Sequence, residues 1–156
     1  MFELDIPGFG QVRLIHWVTD FTGTLSVDGK LLPGVKDGLN FIAQMVEVHV
    51  LTADTFGRAK EELAGIDCRI HILSGDNVDK QKKEFVQQLG PDSVIALGNG
   101  NNDRLMLKIA RLGIAVCLAE GCAQDAIAAA DILVMSPIDA IKLLETPNRL
   151  KAILRS

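Results

Sequence analysis

The stretch Asp20-Phe21-Thr22-Gly23-Thr24 decides how the fold of this chain is interpreted. It follows the apolar-rich residues 12–19, so an acidic residue ends a predicted strand, and a glycine flanked by hydroxyl residues comes directly after it. This pattern indicates a strand that delivers a carboxylate to a tight loop. The backbone N–H groups of such a loop can point at an anion beside the carboxylate. The alternative is a strand that ends in an ordinary Asx turn.

The composition predicts one domain, residues 1–156, with a substantial core, because 48% of the 156 residues are hydrophobic. The net charge is −4 and no long basic block occurs, so we do not expect nucleic-acid binding through bulk charge. The sequence has no secretion signal and no apolar run of the roughly 18 residues that a membrane helix needs. No membrane association is therefore predicted.

Cysteine and histidine residues show no spacing typical of a metal site. The cysteines are odd in number and lack CxxC spacing, which favours reduced thiols and a cytoplasmic location; they are Cys68, Cys117 and Cys122. The histidines stand apart in apolar runs, so we expect strand residues rather than ligands; they are His16, His49 and His71.

Apolar runs alternate with helical patterns along the chain. Predicted strands cover residues 12–20, 46–51, 68–73, 93–97, 114–118 and 131–135, and a small hairpin covers residues 25–32 around Asp28-Gly29. Predicted helices cover residues 35–45, 56–64, 80–89, 103–112, 123–129, 138–144 and 147–154. This alternation predicts an α/β fold with a parallel sheet covered by helices on both faces.

Polar residues follow several of the predicted strands directly. They are Asp20, Thr52 and the loop Gly98-Asn99-Gly100-Asn101-Asn102-Asp103. Ligands bind beyond the carboxyl ends of parallel strands, so we expect these residues to meet at one edge of the sheet. Taken singly, Thr52 and Asp103 could instead be helix caps, and the glycines could be plain turn residues.

Taken in order, these motifs resemble the haloacid dehalogenase (HAD) superfamily of phosphotransferases. Residues 20–24 are similar to its Asp-Lys-Thr-Gly-Thr, Leu51-Thr52-Ala53-Asp54 to its Leu-Thr-Gly-Asp, and residues 98–103 to its Gly-Asp-Gly-x-Asn-Asp. Within the superfamily, the chain most resembles the phosphorylation domain of P-type ATPases and a small prokaryotic group of soluble P-type ATPase-like proteins. The resemblance implies a three-layer α/β/α Rossmann-like (HAD-like) sheet.

The resemblance also implies the roles of the site residues. Asp20 would be the nucleophile that forms an aspartyl-phosphate. The phosphate-binding residues would be Phe21, Thr22, Thr52, Ala53 and a lysine. Mg²⁺ would be the cofactor, held by Asp20, Asp103 and the backbone carbonyl of Thr22, with Asn99 offering a neutral oxygen.

The resemblance also selects, by its residue spacing, the lysine that would neutralise the charge at the site. The ATPase pattern places it four residues before an apolar position and seven before a leucine, which Lys82 satisfies with Val86 and Leu89. Lys80 and Lys83 remain alternatives at this stage. For any one of these lysines, a plain surface position is the competing interpretation.

Two residues depart from ordinary HAD phosphatases. Thr22 stands where most of them carry a second aspartate, the group that protonates the leaving oxygen and activates water. Threonine has no useful pKa for either task, so we expect slow hydrolysis of any phosphorylated Asp20. Asn99 stands where many members have an aspartate, which removes one negative charge from the predicted Mg²⁺ site.

The segments between the motifs are too short for a cap domain, so the chain is expected to be a capless member whose site something else must cover. The main prediction is an Mg²⁺-dependent phosphohydrolase or phosphotransferase acting on a phosphorylated small molecule or macromolecule. The alternative is a low-turnover regulatory module that binds phosphate and metal. A homo-oligomer could cover the site in either case.

Overall fold

The computed structural model describes residues 1–53 and 57–156. The strands are β1 Phe2–Ile6, β2 Gly10–Leu14, β3 His16–Asp20, β4 Ser26–Val27, β5 Lys30–Leu31, β6 Glu47–Thr52, β7 Arg69–Ile72, β8 Val94–Gly98, β9 Leu112–Val116 and β10 Ile132–Val134. The helices are α1 Val35–Ile42, α2 Arg58–Glu62, α3 Val78–Leu89, α4 Arg104–Ile109, α5 Gln124–Ala129, α6 Pro137–Glu145 and α7 Pro147–Leu154.

Six of these strands form a parallel sheet in the order β10-β9-β8-β3-β6-β7. The central strand β3 pairs with β6 on one side and β8 on the other, which puts Asp20 at the point where the strand order reverses. Ligands bind at such a point in open α/β sheets. The loops after β3, β6 and β8 therefore meet at one edge.

Side chains that alternate along β3 enter two separate cores. Trp17 packs into the larger core, which also takes residues of α1 and α6. Val18 packs into the smaller core with Val86 of α3 and Leu107 of α4. Because helices cover both faces of the sheet, the predicted three-layer α/β/α architecture is confirmed.

The predicted strand over residues 12–20 is wrong, because this segment contains two strands. β2 pairs with β1 in an antiparallel hairpin, whereas β3 belongs to the central sheet. The chain changes partner at Ile15, whose backbone N–H donates to the carbonyl of Ser93 at 2.9 Å. β1 was not predicted, although the turn residues Pro7 and Gly8 directly follow it.

The predicted helix over residues 103–112 extends too far. α4 ends at Ile109, and Leu112 and Gly113 belong to β9. Gly113 lets β9 pass close beneath the helix, because a Cβ at this position would collide with the carbonyl of Leu107. A glycine in a strand can thus mark a close approach of backbone.

The predicted hairpin over residues 25–32 is confirmed by β4 and β5. Asp28 and Gly29 both have positive φ, 51° and 78°, as a type I′ turn requires. The other predicted elements differ from the observed ones mainly at their ends. The predicted helix over residues 56–64 corresponds to α2, and its first residue lies outside the described residues.

Candidate active site

The carboxylate of Asp20 lies at the carboxyl end of β3 and forms an ion pair with Lys82. Nζ of Lys82 is 3.1 Å from Oδ1 of Asp20 and 2.7 Å from Oδ1 of Asp103. Asp103 is fully buried and Lys82 is 1% exposed, whereas the side chain of Asp20 is 13% exposed. One cation thus sits between two carboxylates, and only the Asp20 carboxylate reaches the surface.

Of Lys80, Lys82 and Lys83, it is Lys82 that the fold brings to this edge. It lies on the buried side of α3, one turn before Val86, which packs into the smaller core. Residues four apart share a face of a helix, so burying Val86 also turns Lys82 toward the sheet. Lys80 is exposed and Lys83 is half-buried on other faces of the helix.

Burial and charge together raise the pKa of Asp20 to about 7. Burial is the largest cause and the carboxylate of Asp103 is the second, while Lys82 acts in the opposite direction. For Lys82, burial alone would lower the pKa, but the two carboxylates outweigh it and the pKa is raised above its ordinary value. The lysine therefore stays protonated and carries the charge that holds the site together.

The carboxylate of Asp103 is fixed by the glycine-rich loop before it. Its Oδ2 accepts hydrogen bonds from the backbone N–H groups of Asn99 at 3.0 Å and Gly100 at 2.9 Å. The side chain makes no capping hydrogen bond to α4, so it does not act as the helix cap that its position allowed. Gly98 leaves the space for this arrangement, because a Cβ there would collide with the Asp103 carboxyl group.

A cavity of about 360 Å³ opens beside Asp20. Its lining includes most of the residues predicted to bind phosphate or metal; they are Asp20, Thr22, Thr52, Ala53, Lys82 and Asn99, with Val78, Gly100 and Asn102 completing the wall. Thr22 is exposed, while Thr52 is 3% exposed at the end of β6. These side chains come from distant parts of the sequence and meet in one place.

Phe21 contributes backbone rather than side chain to this place. Its ring is buried in the larger core, and its backbone N–H hydrogen-bonds to the Asp20 carboxylate. Its carbonyl accepts hydrogen bonds from the N–H groups of Thr24 at 3.2 Å and Leu25 at 2.9 Å. Gly23 has a φ of 77°, which closes this tight turn beside Asp20.

The side chain of Asn99 bridges two loops. Its Oδ1 accepts a hydrogen bond from Oγ1 of Thr24 at 3.3 Å, and its Nδ2 donates to the carbonyl of Gly121 at 3.3 Å. A Cβ on Gly23 would collide with this amide. Asn99 therefore joins the loop after Asp20 to the loop after β9.

Asn102 contacts the site without having been predicted as a site residue. Nζ of Lys82 donates to its Oδ1 at 3.4 Å, so the ammonium group has three oxygen partners. The signal was present in the sequence, because Asn102 occupies the asparagine position of the Gly-Asp-Gly-x-Asn-Asp pattern. The side chain is exposed, where it can also meet a ligand.

The three histidines, expected to be isolated strand residues, lie side by side on β3, β6 and β7. His16 Nδ1 is 3.2 Å from His49 Nε2, and His49 Nδ1 is 3.3 Å from His71 Nε2. Burial is the main cause that lowers the pKa of each, to about 4 for His49. Only the strand order β3-β6-β7 brings them together, and the sequence alone did not supply that order.

Between the motifs, the described residues hold only core elements. The hairpin of β4 and β5 follows the Asp20 loop, and α2 and β7 follow β6, so the described part of the chain has no cap domain over the cavity. Within the same described part, no helix is long and apolar enough to cross a membrane.

Three curated proteins share sequence with this chain, and no family model matches it. The uncharacterized protein MJ0073 of Methanocaldococcus jannaschii is 52% identical over 62 residues, which cover 40% of this chain and 67% of that protein. A phosphoserine phosphatase of Idiomarina loihiensis is 39% identical over 88 residues, covering 52% of this chain and 39% of that protein. The second match thus spans well under half of the longer protein.

Solved structures of HAD phosphatases share the fold. A probable YrbI family phosphatase from Pseudomonas syringae has a TM-score of 0.70 at 14% identity, covering 92% of this chain and 94% of that one. The 3-deoxy-D-manno-octulosonate 8-phosphate phosphatase of Moraxella catarrhalis, in complex with magnesium and phosphate ions, has a TM-score of 0.62 at 20% identity, covering 89% and 90%. These likenesses establish the HAD-like fold without a cap. The finer likeness to P-type ATPases stays a prediction.

Proposed function

We propose that this chain, which belongs to the same family as protein MJ0073 of M. jannaschii, is a capless HAD-type phosphohydrolase or phosphotransferase. Asp20 is its nucleophile and Mg²⁺ its cofactor. The proposal rests on one observation: the Asp20 carboxylate faces a cavity while the buried ammonium group of Lys82 holds it at 3.1 Å. The matches to phosphatases, stated above, support the same reaction class.

The oxygen donors at the cavity fit Mg²⁺, which prefers hard oxygen ligands and keeps several waters. Asp20 would supply a carboxylate oxygen, Thr22 its backbone carbonyl and Asn99 an amide oxygen. Both oxygens of Asp103 already accept hydrogen bonds, so its share would come from the remaining lone pair on Oδ1. When bound, the ion would supply positive charge that lets the anionic phosphoryl group approach.

In the proposed reaction, a carboxylate oxygen of Asp20 attacks phosphorus while the bond from phosphorus to the leaving oxygen breaks. The products of this step are an aspartyl-phosphate and the leaving alcohol, carboxylate or phosphate. Lys82 neutralises the charge around Asp20 throughout, and Thr52 hydrogen-bonds a phosphoryl oxygen. Water then attacks phosphorus, which releases inorganic phosphate and restores the Asp20 carboxylate.

Proton transfer is the weak point of this reaction. The exposed Thr22 lies where an aspartate would protonate the leaving oxygen, and its hydroxyl has no suitable pKa. The leaving group must therefore take its proton from water. We expect good leaving groups, such as acyl phosphates and phosphoanhydrides, to react faster than alkyl phosphates.

A second function, a low-turnover module that binds phosphate and metal, is favoured by Asn99. Its amide is neutral, so it brings no charge to a bound cation, and both its polar atoms are already hydrogen-bonded to Thr24 and Gly121. In such a module, Asp20 would be phosphorylated slowly or only bind a phosphoryl analogue. The resemblance to P-type ATPases, whose phosphoenzyme persists, fits this alternative.

One experiment separates the two functions. The protein is incubated with Mg²⁺ and a panel of acyl phosphates, ATP and phosphate esters, and released phosphate is measured. Asp20→Asn is compared with Asp92→Asn, which changes an exposed aspartate away from the cavity. Turnover lost only in Asp20→Asn supports the enzyme. Binding of Mg²⁺ and beryllium fluoride without turnover supports the module, and failure to bind Mg²⁺ counts against both.

The open cavity also needs a cover during the reaction, because an exposed site excludes water poorly. A macromolecular substrate or a second copy of the chain would supply it. Measuring the sedimentation of the protein with and without beryllium fluoride tests the second copy. A monomer under both conditions would leave the substrate itself as the cover.

A further inference from the structure

A second group of polar side chains lies at the opposite, amino end of the same strands. His16 opens β3, while Glu47 and His49 lie on the neighbouring β6. In the parallel register His16 pairs with Glu47, and Val18 pairs with His49, so all of them face the side covered by α3. The active-site chemistry proposed above uses none of these residues.

The ligand atoms of this group already have the spacing of a metal site. His16 Nδ1 and His49 Nε2 are 3.2 Å apart, and Glu47 Oε2 lies 3.5 Å from the first and 3.6 Å from the second. Ligands placed about 2.0–2.1 Å from a tetrahedral Zn²⁺ are separated by about 3.3 Å. The three atoms thus form one face of a tetrahedron without rearrangement of the backbone.

A second layer of contacts orients the central ligand. His49 Nδ1 lies 3.3 Å from His71 Nε2, so a proton on Nδ1 leaves the Nε2 lone pair of His49 directed at the group. Ligating histidines commonly donate their other N–H in this way. Phe85 of α3 packs against both rings, with centroids 5.4 Å from His49 and 4.6 Å from His71.

Glu47 supplies the negative charge of this group, and the two imidazole rings supply nitrogen atoms that bind a metal in their neutral form. Arg69 is the nearby cation: its guanidinium lies 3.8 Å from Oε1 of Glu47, the oxygen that the cluster does not use. The side chain of Glu47 is 50% exposed, which leaves an entry path for the ion.

We propose that His16, Glu47 and His49 form a site for a divalent transition metal of the Zn²⁺ class, with a fourth position open to water or a small ligand. Two imidazoles and one carboxylate favour Zn²⁺ or Co²⁺ over Mg²⁺, which prefers oxygen ligands. The ion would tie the amino ends of β3 and β6 together. This site is independent of the proposed phosphoryl transfer at the other end of the strands.

The test is a titration of untagged, chelator-treated protein with Co²⁺ in excess Mg²⁺, so that oxygen sites are occupied. We expect one equivalent of Co²⁺ to give the visible absorption of a four-coordinate ion, and Zn²⁺ to displace it. Glu47→Gln and His16→Gln should weaken binding by more than tenfold, and Glu120→Gln, at an exposed carboxylate elsewhere, should not. His71→Gln should weaken binding by roughly 10–100-fold as the loss of an orienting partner.

Circular dichroism checks that each variant is folded. Glu47 is exposed, so its variant keeps the proposal testable even where a buried histidine variant fails to fold. No stoichiometric Co²⁺ binding would mean that the histidines form only a hydrogen-bonded chain and would overturn the proposal. Binding that persists unchanged in both Glu47→Gln and His16→Gln would overturn it as well. Neither result depends on phosphatase activity.

Discussion

The two ends of β3 and β6 carry different polar clusters on one face of the sheet. One consists of two aspartates and a lysine, and the other of histidines with a glutamate. At the carboxyl end, Asp20 meets Lys82 and Asp103, which arrive from a helix and a loop. At the amino end, strand residues alone bring His16 and His49 together. Strand pairing is sufficient to assemble the amino end, whereas the carboxyl end depends on loop geometry and on the packing of α3. The two ends should therefore respond differently to the same perturbations.

Replacing Lys82, the cation shared by Asp20 and Asp103, should give the largest difference in response between the two ends. Lys82→Met leaves two carboxylates facing each other, so we expect turnover to fall by about 10³-fold, as for loss of a charge-stabilising donor. Removing one partner of a buried ion pair also costs about 3–5 kcal/mol of folding stability. Phosphate release and urea unfolding measure both effects.

Lys80→Met, at an exposed position of the same helix, is the control and should change neither quantity. Cobalt binding at the amino end should survive in Lys82→Met if the variant folds. Full activity in Lys82→Met would remove the charge-neutralising role assigned to this lysine.

Installing the missing acid at the carboxyl end should raise turnover. Thr22 is exposed at the cavity, so Thr22→Asp fits without steric cost. General acid–base catalysis contributes about 10²–10⁴-fold, and we expect about 10²-fold faster hydrolysis of alkyl phosphates from an untuned aspartate. Thr22→Ala is the matched control and should stay as slow as the natural chain. Rapid turnover that is undiminished in Thr22→Ala would contradict the role given to Thr22.

Adding a methyl group at Gly98, beside Asp103, should affect only the cluster at the carboxyl end. Gly98→Ala places a Cβ against the Asp103 carboxyl group, which must shift away from its hydrogen bonds with the loop. We expect the affinity for Mg²⁺ to fall by roughly tenfold, which is the lower end of the range for losing a group that orients a metal ligand. Isothermal titration with Mg²⁺ measures this, and Co²⁺ binding at the histidines serves as the internal control. Equal weakening at both ends would mean a general loss of structure instead.

Lowering the pH should change the free energy of unfolding in opposite directions at the two ends, through His49 at one and Asp20 at the other. The pKa of His49 is lowered to about 4 in the folded protein, so its stabilising contribution is present above about pH 6.5 and is lost as the pH falls toward 4. The pKa of Asp20 is raised to about 7, so its contribution is present below its ordinary pKa and is lost as the pH rises through 7. In the natural chain these trends oppose each other.

Variants at each end separate these trends. We compare the free energy of unfolding, with a chelator present, at pH 6.5 and pH 5. On this acidification Asp20→Asn should lose more stability than the natural chain, and about 1–2 kcal/mol of its loss should arise from His49. His49→Gln should lose less. Urea unfolding at both pH values measures these differences, and identical slopes in all three proteins would contradict the assigned pKa shifts.

The sequence predicted the architecture and the carboxyl end better than the amino end. Asp20, Thr52 and Asp103 each follow a strand, and the rule for parallel sheets places such residues at one edge. Lys82 was favoured over Lys80 and Lys83 by the resemblance to the ATPase pattern, whose spacing Val86 and Leu89 match. The edge placement thus needs only local patterns and the general behaviour of α/β sheets, whereas the choice of lysine also needs the resemblance.

The histidine cluster could not be found in this way. His16, His49 and His71 are separated by long segments, and their contacts depend on which strands are neighbours and in what register. A shift of one residue in pairing would turn a side chain to the other face. The prediction missed the division of residues 12–20 into two strands for a related reason, because β2 pairs with β1, which was not predicted.

The burial of Lys82 makes this residue a reporter of chemical accessibility. An amine-acylating reagent modifies neutral, exposed amines, and Lys82 is 1% exposed with a raised pKa. Lys80, on the exposed side of the same helix, should be labelled at once. Acylation of Lys82 would require α3 to lift from the sheet, so the ratio of the two modified peptides over time would measure how often the folded protein opens beside Asp20.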